Sequence, residues 1–271
     1  MIHTLKLFLA AVRHWYARDA TIYAAALAYF MPFALVPMLA LAIAIISLVV
    51  SEAVLVETLV RWGDSVAPGI TPIVADAVES FTWSSQFWGI PLIGLLVIGW
   101  VLLSTLSLLV RGLHHIWRIP DEGAWRQVEL LFRSGLFFLT FIIFLTLVVT
   151  VSIFAPDLFG TGTIAISVQN AVVFMLTVGF FTLGFGILAR HPMRWRARLV
   201  GAITIAVLLL ILRVGLGWWL AFTPAIDLFG AAGVMLGLLI IIYAMTAIIY
   251  FGAAVAYQFE RPQVRDKMRN V

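Results

Sequence analysis

Five histidines, His3, His14, His114, His115 and His191, and thirteen Asp and Glu residues are the groups from which a hydrolytic or metal-dependent centre would have to be built. Metal-assisted hydrolysis needs such side chains to converge on one ion at chelating spacing. These histidines are instead scattered over three separate segments. His114 and His115 are adjacent, so on a helix they point roughly 100° apart and cannot grip one ion together. There is no cysteine, which removes thiol catalysis, disulfides and Cys-ligated metals. A Ser-His-Asp constellation, a Walker motif and a phosphate-binding glycine loop are all missing. The residues therefore predict no catalytic centre, no metal and no cofactor, and the histidines read as interfacial groups near lipid headgroups.

Arg213 offers a different chemistry, because it is a charge embedded in a hydrophobic span. It lies about 21 Å along the helix from Leu199, in the outer half of a bilayer. A guanidinium stays charged, and within a span it costs at least about 2.5–3.5 kcal/mol, so it must snorkel, pair or face a wet cavity. The structural reading is outward snorkelling or a pair with Asp227 or Asp157. The functional reading is a cation presented to an anionic headgroup in a cavity. Pro32 and Pro37 are the second candidate: a helix kinked or broken there exposes backbone groups that bind substrate or act as a hinge, and the plain alternative is a packing kink. Asp19 and Tyr29 flank this element, and Asp19 is equally suited to cap the first span. Arg213, Pro32, Pro37, Tyr29, Asp19 and Asp227 are thus the candidate substrate or cavity residues.

The elements that must position these residues are membrane spans. The chain is 63% hydrophobic and 11% charged over 271 residues, too little polar surface to cover a soluble globule. Charge-poor runs occur at about 20–50, 87–110, 134–154, 168–189, 199–221 and 228–257, each near or above the roughly 20 residues that cross a bilayer. Lys and Arg alternate along the polar stretches between them. Lys6, Arg13 and Arg18 are followed by Arg61 alone, then by Arg111, Arg118, Arg126 and Arg133; residues 155–167 have none, Arg190, Arg194, Arg196 and Arg198 come next, 222–227 have none, and Arg261, Arg265, Lys267 and Arg269 close the series. This is the positive-inside pattern. It predicts an all-α, six-span protein of the bacterial inner membrane, one membrane domain over 1–271, with both termini cytoplasmic and 51–86 in the periplasm. The basic residues then serve topology and anionic headgroups, and nucleic acid is not an expected partner.

The first apolar run is too long for a signal-peptide core and lies between a basic and an acidic flank, so cleavage is not expected. Leu5, Phe8, Leu9, Val12, Trp15 and Tyr16 recur at helical spacing before it, either as a short helix on the inner membrane face or as the solvated start of the first span. In 51–86, the residues Val54, Leu55, Thr58 and Leu59 suggest an amphipathic external helix, with another near Ile73–Phe81. Six spans also divide into two three-helix halves of opposite orientation, the layout of inverted-repeat transporters. Small residues at Ala24 and Ala28, Gly233 and Gly237, and Gly179, Gly184 and Gly186 allow close helix contacts, inside one chain or at the face of a homo-oligomer.

Several stretches together carry a family resemblance. Asp19, then Ala24-Ala25-Ala26-Leu27-Ala28-Tyr29-Phe30 and Pro32 to Pro37, resemble the opening segment of the YihY/BrkB family of six-span bacterial inner-membrane proteins, some once labelled ribonuclease BN. Arg111 to Arg118 (RGLHHIWR) is similar to that family's turn after the second span. Phe229 to Gly233 and Tyr250-Phe251-Gly252-Ala253-Ala254 resemble its terminal pattern, and Pro192, Trp195 and Gly201-Ala202 fit the start of the fifth span. His114-His115 stands where the family usually has Leu or Phe followed by Asn, and Ala254 where it usually has Glu, so no role of that Asn or acid carries over. The resemblance implies an integral inner-membrane protein, with transport or flipping of an envelope lipid or similar amphiphile as the usual reading.

Two classes of function follow. One is a transporter or flippase of an amphiphilic, lipid-like anion, with membrane lipids as partners. The other is a non-transporting scaffold of an envelope complex. A water-accessible cavity reaching Arg213 and bounded by the first span would favour the former, a closed bundle with an exposed apolar groove matching a partner the latter. Enzymatic activity, ribonuclease included, is not expected.

Overall fold

The computed structural model of the chain describes residues 2–46, 92–119, 126–159, 163–189, 193–222 and 231–269. Among the described residues every regular element is a helix: α1 (Ile2–Tyr16), α2 (Ala20–Ile46), α3 (Leu92–Ile116), α4 (Arg126–Phe159), α5 (Thr163–Leu188), α6 (Trp195–Phe222) and α7 (Ala231–Arg269). This is the form an apolar chain takes where water cannot satisfy its amides, because a helix pairs them within one segment. Four helices have described apolar stretches long enough to cross a membrane: Val128–Val151, Ser167–Leu188, Trp195–Leu216 and Leu236–Glu260. Hydroxyls within the helices are satisfied in the same local way. Eight threonines, Thr105 and Thr246 among them, donate to the carbonyl one turn back at 2.7–2.9 Å.

Each of α2 to α7 packs against its chain neighbour, and α7 returns to α2, so the six long helices form a ring in chain order. α3 and α7 also meet each other, and α1 lies on α7. The α4–α5 contact is built on phenylalanines: Phe180 stacks on Phe144 at 4.7 Å between centroids and lies 5.3 Å from Phe137. Gly184 makes room for Phe137, whose Cε2 would be 2.8 Å from any Cβ there.

The outer surface is as apolar as the interior. Phe132, Leu139 and Ile143 of α4, Leu210, Ile211 and Val214 of α6, and Leu236 and Ile240 of α7 are all exposed. At roughly 25 cal/mol per Å² such faces would be costly in water and cost nothing in lipid. This is the surface of a membrane protein.

The N-terminal stretch forms a helix of its own, distinct from the first span. Asp19 separates them with φ 49, a left-handed conformation that Asp tolerates better than most residues. Its carbonyl accepts from Ile22 N at 2.9 Å and Tyr23 N at 3.2 Å, which makes Asp19 the N-cap residue of α2. On α1, Ala11 and His14 are buried, and Phe8 meets Phe251 of α7 edge-on at 5.0 Å.

Of the kink or break expected at the first span's prolines, the break does not occur. Pro32 and Pro37 do not break the first span, for α2 runs uninterrupted through both as a single helix of 27 residues. Each proline removes one amide, leaving the carbonyls of Ala28 and Phe33 without their usual donors. A full break would leave several more unpaired in hydrocarbon, at a cost of several kcal/mol each. The helices also outrun the apolar stretches. α4 starts at Arg126 and α7 ends at Arg269, because helical pairing does not stop at the membrane border; in α4 the added turns hold the Glu129–Arg133 pair at 2.9 Å. Asp227 and the segment 51–86, where two amphipathic helices are expected, lie outside the described residues.

Candidate functional site

α3 carries three hydroxyls, Ser104, Thr105 and Ser107, close in sequence to a cation, Arg111. Trp100, Ser104, Ser107, Leu108 and Arg111 recur at intervals of three or four and therefore share one face of the helix. That face forms the floor of a groove of about 550 Å³. Phe30 of α2 borders it on one side and Leu130 and Leu131 of α4 on the other. The volume falls within the roughly 300–1,000 Å³ of ligand cavities. A gap arises here because α4 packs much less extensively on α3 than on α5 and only touches α2.

Four polar side chains line the groove: Ser104, Thr105, Ser107 and Arg111. Thr105 donates its hydroxyl to Val101 O at 2.8 Å. Ser107 is buried and Ser104 exposed. Arg111 is exposed at one end, and among the described residues lining the groove it alone is charged. Trp100 stands at the other end, 73% exposed. Eleven residues of helix separate the two, about 16 Å.

The Arg111 end is held rigidly. α3 finishes in a Schellman turn, with Arg118 N donating to His115 O at 3.3 Å and Ile119 N to His114 O at 3.0 Å, and Arg118 in the left-handed region at φ 57. Side-chain donors from other helices take up further carbonyls at helix ends. His14 Nε2 lies 2.9 Å from Ile116 O, and His114 Nε2 lies 2.9 Å from Leu188 O at the end of α5. A carbonyl can only accept, so both ring nitrogens donate. Arg133 Nη1 donates to Ile187 O at 2.8 Å and to Ala189 O at 3.0 Å. Trp117 Nε1 donates to Ala253 O of α7 at 3.2 Å, and its ring meets Phe185 edge-on at 5.4 Å. Gly112 has no Cβ because the ring of fully buried Tyr250 occupies that space, with Cζ 2.6 Å from where it would be. α1, α3, α4, α5 and α7 are thereby fastened together at one end of the bundle, and Arg111 emerges from a fixed base.

These contacts give two of the five histidines a structural role. Among the described residues no group of three or more His, Asp or Glu side chains is placed to hold a metal ion. His115 leans its ring on Tyr23 at 5.4 Å between centroids.

The sequence match extends over nearly all of this architecture. The family model for virulence factor BrkB matches residues 11–270, from the middle of α1 through α7. The chain belongs to the BrkB family. Relatives of this BrkB-family protein include a UPF0761 membrane protein of Stenotrophomonas maltophilia strain K279a, 27% identical over 242 residues that make up 86% of this chain and 56% of the relative. Another, from Rhodospirillum centenum, is 28% identical over 249 residues, 90% of this chain and 55% of that protein. The chain thus spans about half the length of the curated relatives it matches. No solved structure matches it.

Of the residues singled out from sequence, those that are described occupy separate places in the BrkB-family protein. Arg213 lies exposed on α6, on a face it shares with exposed Leu210 and Val214, and α6 does not border the groove. Tyr29 is 62% exposed and leans on Phe30 at 5.3 Å and Phe33 at 6.0 Å, so its neighbour Phe30, and not Tyr29, lines the groove. Pro32 is half-buried on α2 and Asp19 occupies the α1–α2 turn. Pro37 lies within α2, and Asp227 is outside the described residues. Sequence reading missed Arg111, Ser104, Ser107, Trp100 and Phe30. One signal was available: the Ser104-Thr105…Ser107 cluster in an otherwise aliphatic run ending at Arg111.

Proposed function

We propose that this BrkB-family protein crosses the bacterial inner membrane six times, with both termini cytoplasmic, and moves an anionic amphiphile along the groove beside α3. The topology is supported by contacts that gather basic segments at one end. His14 reaches the end of α3, Arg133 the end of α5, and Glu260 Oε1 accepts from Arg194 N at 3.0 Å at the start of α6. Arg13, Arg111, Arg118 and Arg196 belong to the same segments, as the positive-inside rule requires of a cytoplasmic face. α2 and α3, with 27 and 25 residues, are then the first two crossings. Reporters fused at Asp64 and at Val271 are expected on opposite sides of the membrane; finding both on the same side would overturn this topology.

The transport reading rests on the groove itself: a mostly apolar trough open at the flank of the bundle, stepped with hydroxyls and ending in a guanidinium. Such a wall suits a molecule with a chain and a charged head, and no acid among the described lining residues would repel an anion. The reading has no catalytic step. In proteoliposomes carrying fluorescent phosphatidylglycerol, translocation is followed by the fraction of probe protected from an external quencher. Ser104→Trp, at an exposed position in the trough, is expected to slow translocation roughly tenfold, about 1.4 kcal/mol on the barrier, with helical content unchanged. A variant as fast as the parent, or a parent no faster than empty liposomes, would remove the transport reading.

A further inference from the structure

We infer that the groove is a binding site for one phospholipid of the cytoplasmic leaflet, its phosphate on Arg111 and its chain lying along α3 toward Trp100. The inference rests on the topology and transport reading above and adds to it the ligand's class, its register and the side from which it loads. Charge selects the head. Among the described residues Arg111 has no carboxylate partner, whereas Arg133, two turns into α4, is already engaged with Glu129 and two carbonyls. A guanidinium with no carboxylate partner among the described residues, at the end of an apolar trough, matches a phosphodiester in its planar, forked geometry.

Length selects the leaflet. From Arg111 to Trp100 the trough runs about 16 Å, roughly half of a hydrocarbon core of about 30 Å. It therefore holds a chain across one leaflet, the cytoplasmic half of the path along α3. Arg111 sits near the C-terminal end of α3, close to the carbonyls fastened by His14 and His114, which places the head at the basic end of the bundle. Trp100, exposed near mid-membrane by the same reckoning, marks where the chain ends. Phe30 and Leu131 form lips past which a lipid slides in sideways, so no aqueous entrance is needed.

The test measures binding and not movement, so its failure is separable from a failure of transport. The full chain is reconstituted in nanodiscs with equal phosphatidylglycerol and phosphatidylcholine, and retained lipid is read by native mass spectrometry. One retained phosphatidylglycerol is expected. Arg111→Gln is expected to reduce its occupancy roughly tenfold and Arg111→Lys to retain part of it, since charged hydrogen bonds are among the stronger contacts available. Arg118→Gly, a change suited to φ 57 at a residue outside the groove, should leave it unaltered. Sidedness is read by placing a photocrosslinking residue at Leu103 in proteoliposomes with phosphatidylglycerol in one leaflet, illuminated directly after lipid exchange. Crosslinks are expected when the lipid shares the side of the C-terminus.

Equal retention of the two lipids, no loss in Arg111→Gln, or crosslinks from the opposite leaflet would each overturn the site. Inorganic phosphate added in excess distinguishes a lipid head from a free anion. Lipid that stays bound supports the site, and lipid displaced by phosphate alone overturns it. Retained lipid without translocation would leave this site standing and remove the transport reading; translocation indifferent to Arg111 would do the reverse.

Discussion

Gly252→Leu is expected to prevent α6 and α7 from closing on each other and to cost the folded protein more than any other single change considered. A Cβ built on Gly252 runs into Ile205 Cγ1, and lies 2.9 Å from the Gly201 carbonyl oxygen. Gly201 is the reciprocal case, with a Cβ there 2.7 Å from Gly252 O and 2.8 Å from Ala256 Cβ. Ordinary contact begins at 3.4 Å, so even alanine at 201 would push the backbones apart by 3.4 − 2.7, about 0.7 Å. Backbone cannot rotate out of the way as a side chain can. Ile205, Ala202, Ala253, Ala254 and Ala256, all buried beside the contact, would lose their packing with it. Overpacking costs about 1–3 kcal/mol in cores generally, and a backbone-on-backbone crossing between membrane helices, where packing is a main attraction, belongs at or above the top of that range. The comparison is Gly237→Leu or Gly179→Leu, where a Cβ meets nothing within 4 Å and the expected change is within about 0.5 kcal/mol. Thermal unfolding in detergent, followed by helical signal and loss of the monodisperse species, reads the difference. Equal midpoints for Gly252→Leu and Gly237→Leu would contradict the crossing.

The second large effect is expected at the capped end of α5. His114→Leu keeps an apolar side chain of comparable bulk while removing the donor to Leu188 O, in surroundings where His114 and Leu188 are both buried. Leaving a buried acceptor unmet costs about 1–3 kcal/mol. Arg133→Met removes the bonds to Ile187 O and Ala189 O and the ion pair with Glu129. Arg133 and Glu129 are 23% and 35% exposed, so water repays part of that loss and the change belongs at the lower end of the same range. The three carbonyls are consecutive, and freeing one end of the turn loosens the rest. The double variant should therefore lose less than the sum of the singles, with coupling of at least about 0.5 kcal/mol. His114→Asn, which retains a donor, is expected to recover part of the loss. Amide exchange should rise first at the end of α5. Full stability in His114→Leu, or strict additivity in the double variant, would show that these donors do not hold the end together.

The sequence by itself determined what depends on neighbours along the chain. The long apolar runs dictate helices, because in lipid an amide must find its partner within a few residues, and α2 to α7 occupy the expected stretches. The repeat of Leu5, Phe8, Val12 and Trp15 foretold a helix at the N-terminus, and Asp19 was recognisable as the cap of the next one. Family membership was legible for the same reason, in short motifs at constant spacing.

What tertiary structure alone decided is which residues meet. Gly179, Gly237, Gly201 and Gly252 look alike in a hydrophobic run; only the crossing of α6 on α7 makes the last pair indispensable and leaves the first two facing outward. His14 and His114 looked like surface groups beside headgroups, and their burial depends on partners 102 and 74 residues away. Arg213 drew attention because an isolated charge in a span is conspicuous, whereas Arg111, one of many basic residues at a span's end, acquires its position from α2 and α4 standing apart beside α3. Hydropathy is a sum over adjacent residues and survives in the sequence. A groove is the place where helices fail to touch, and it exists only once the helices have been arranged.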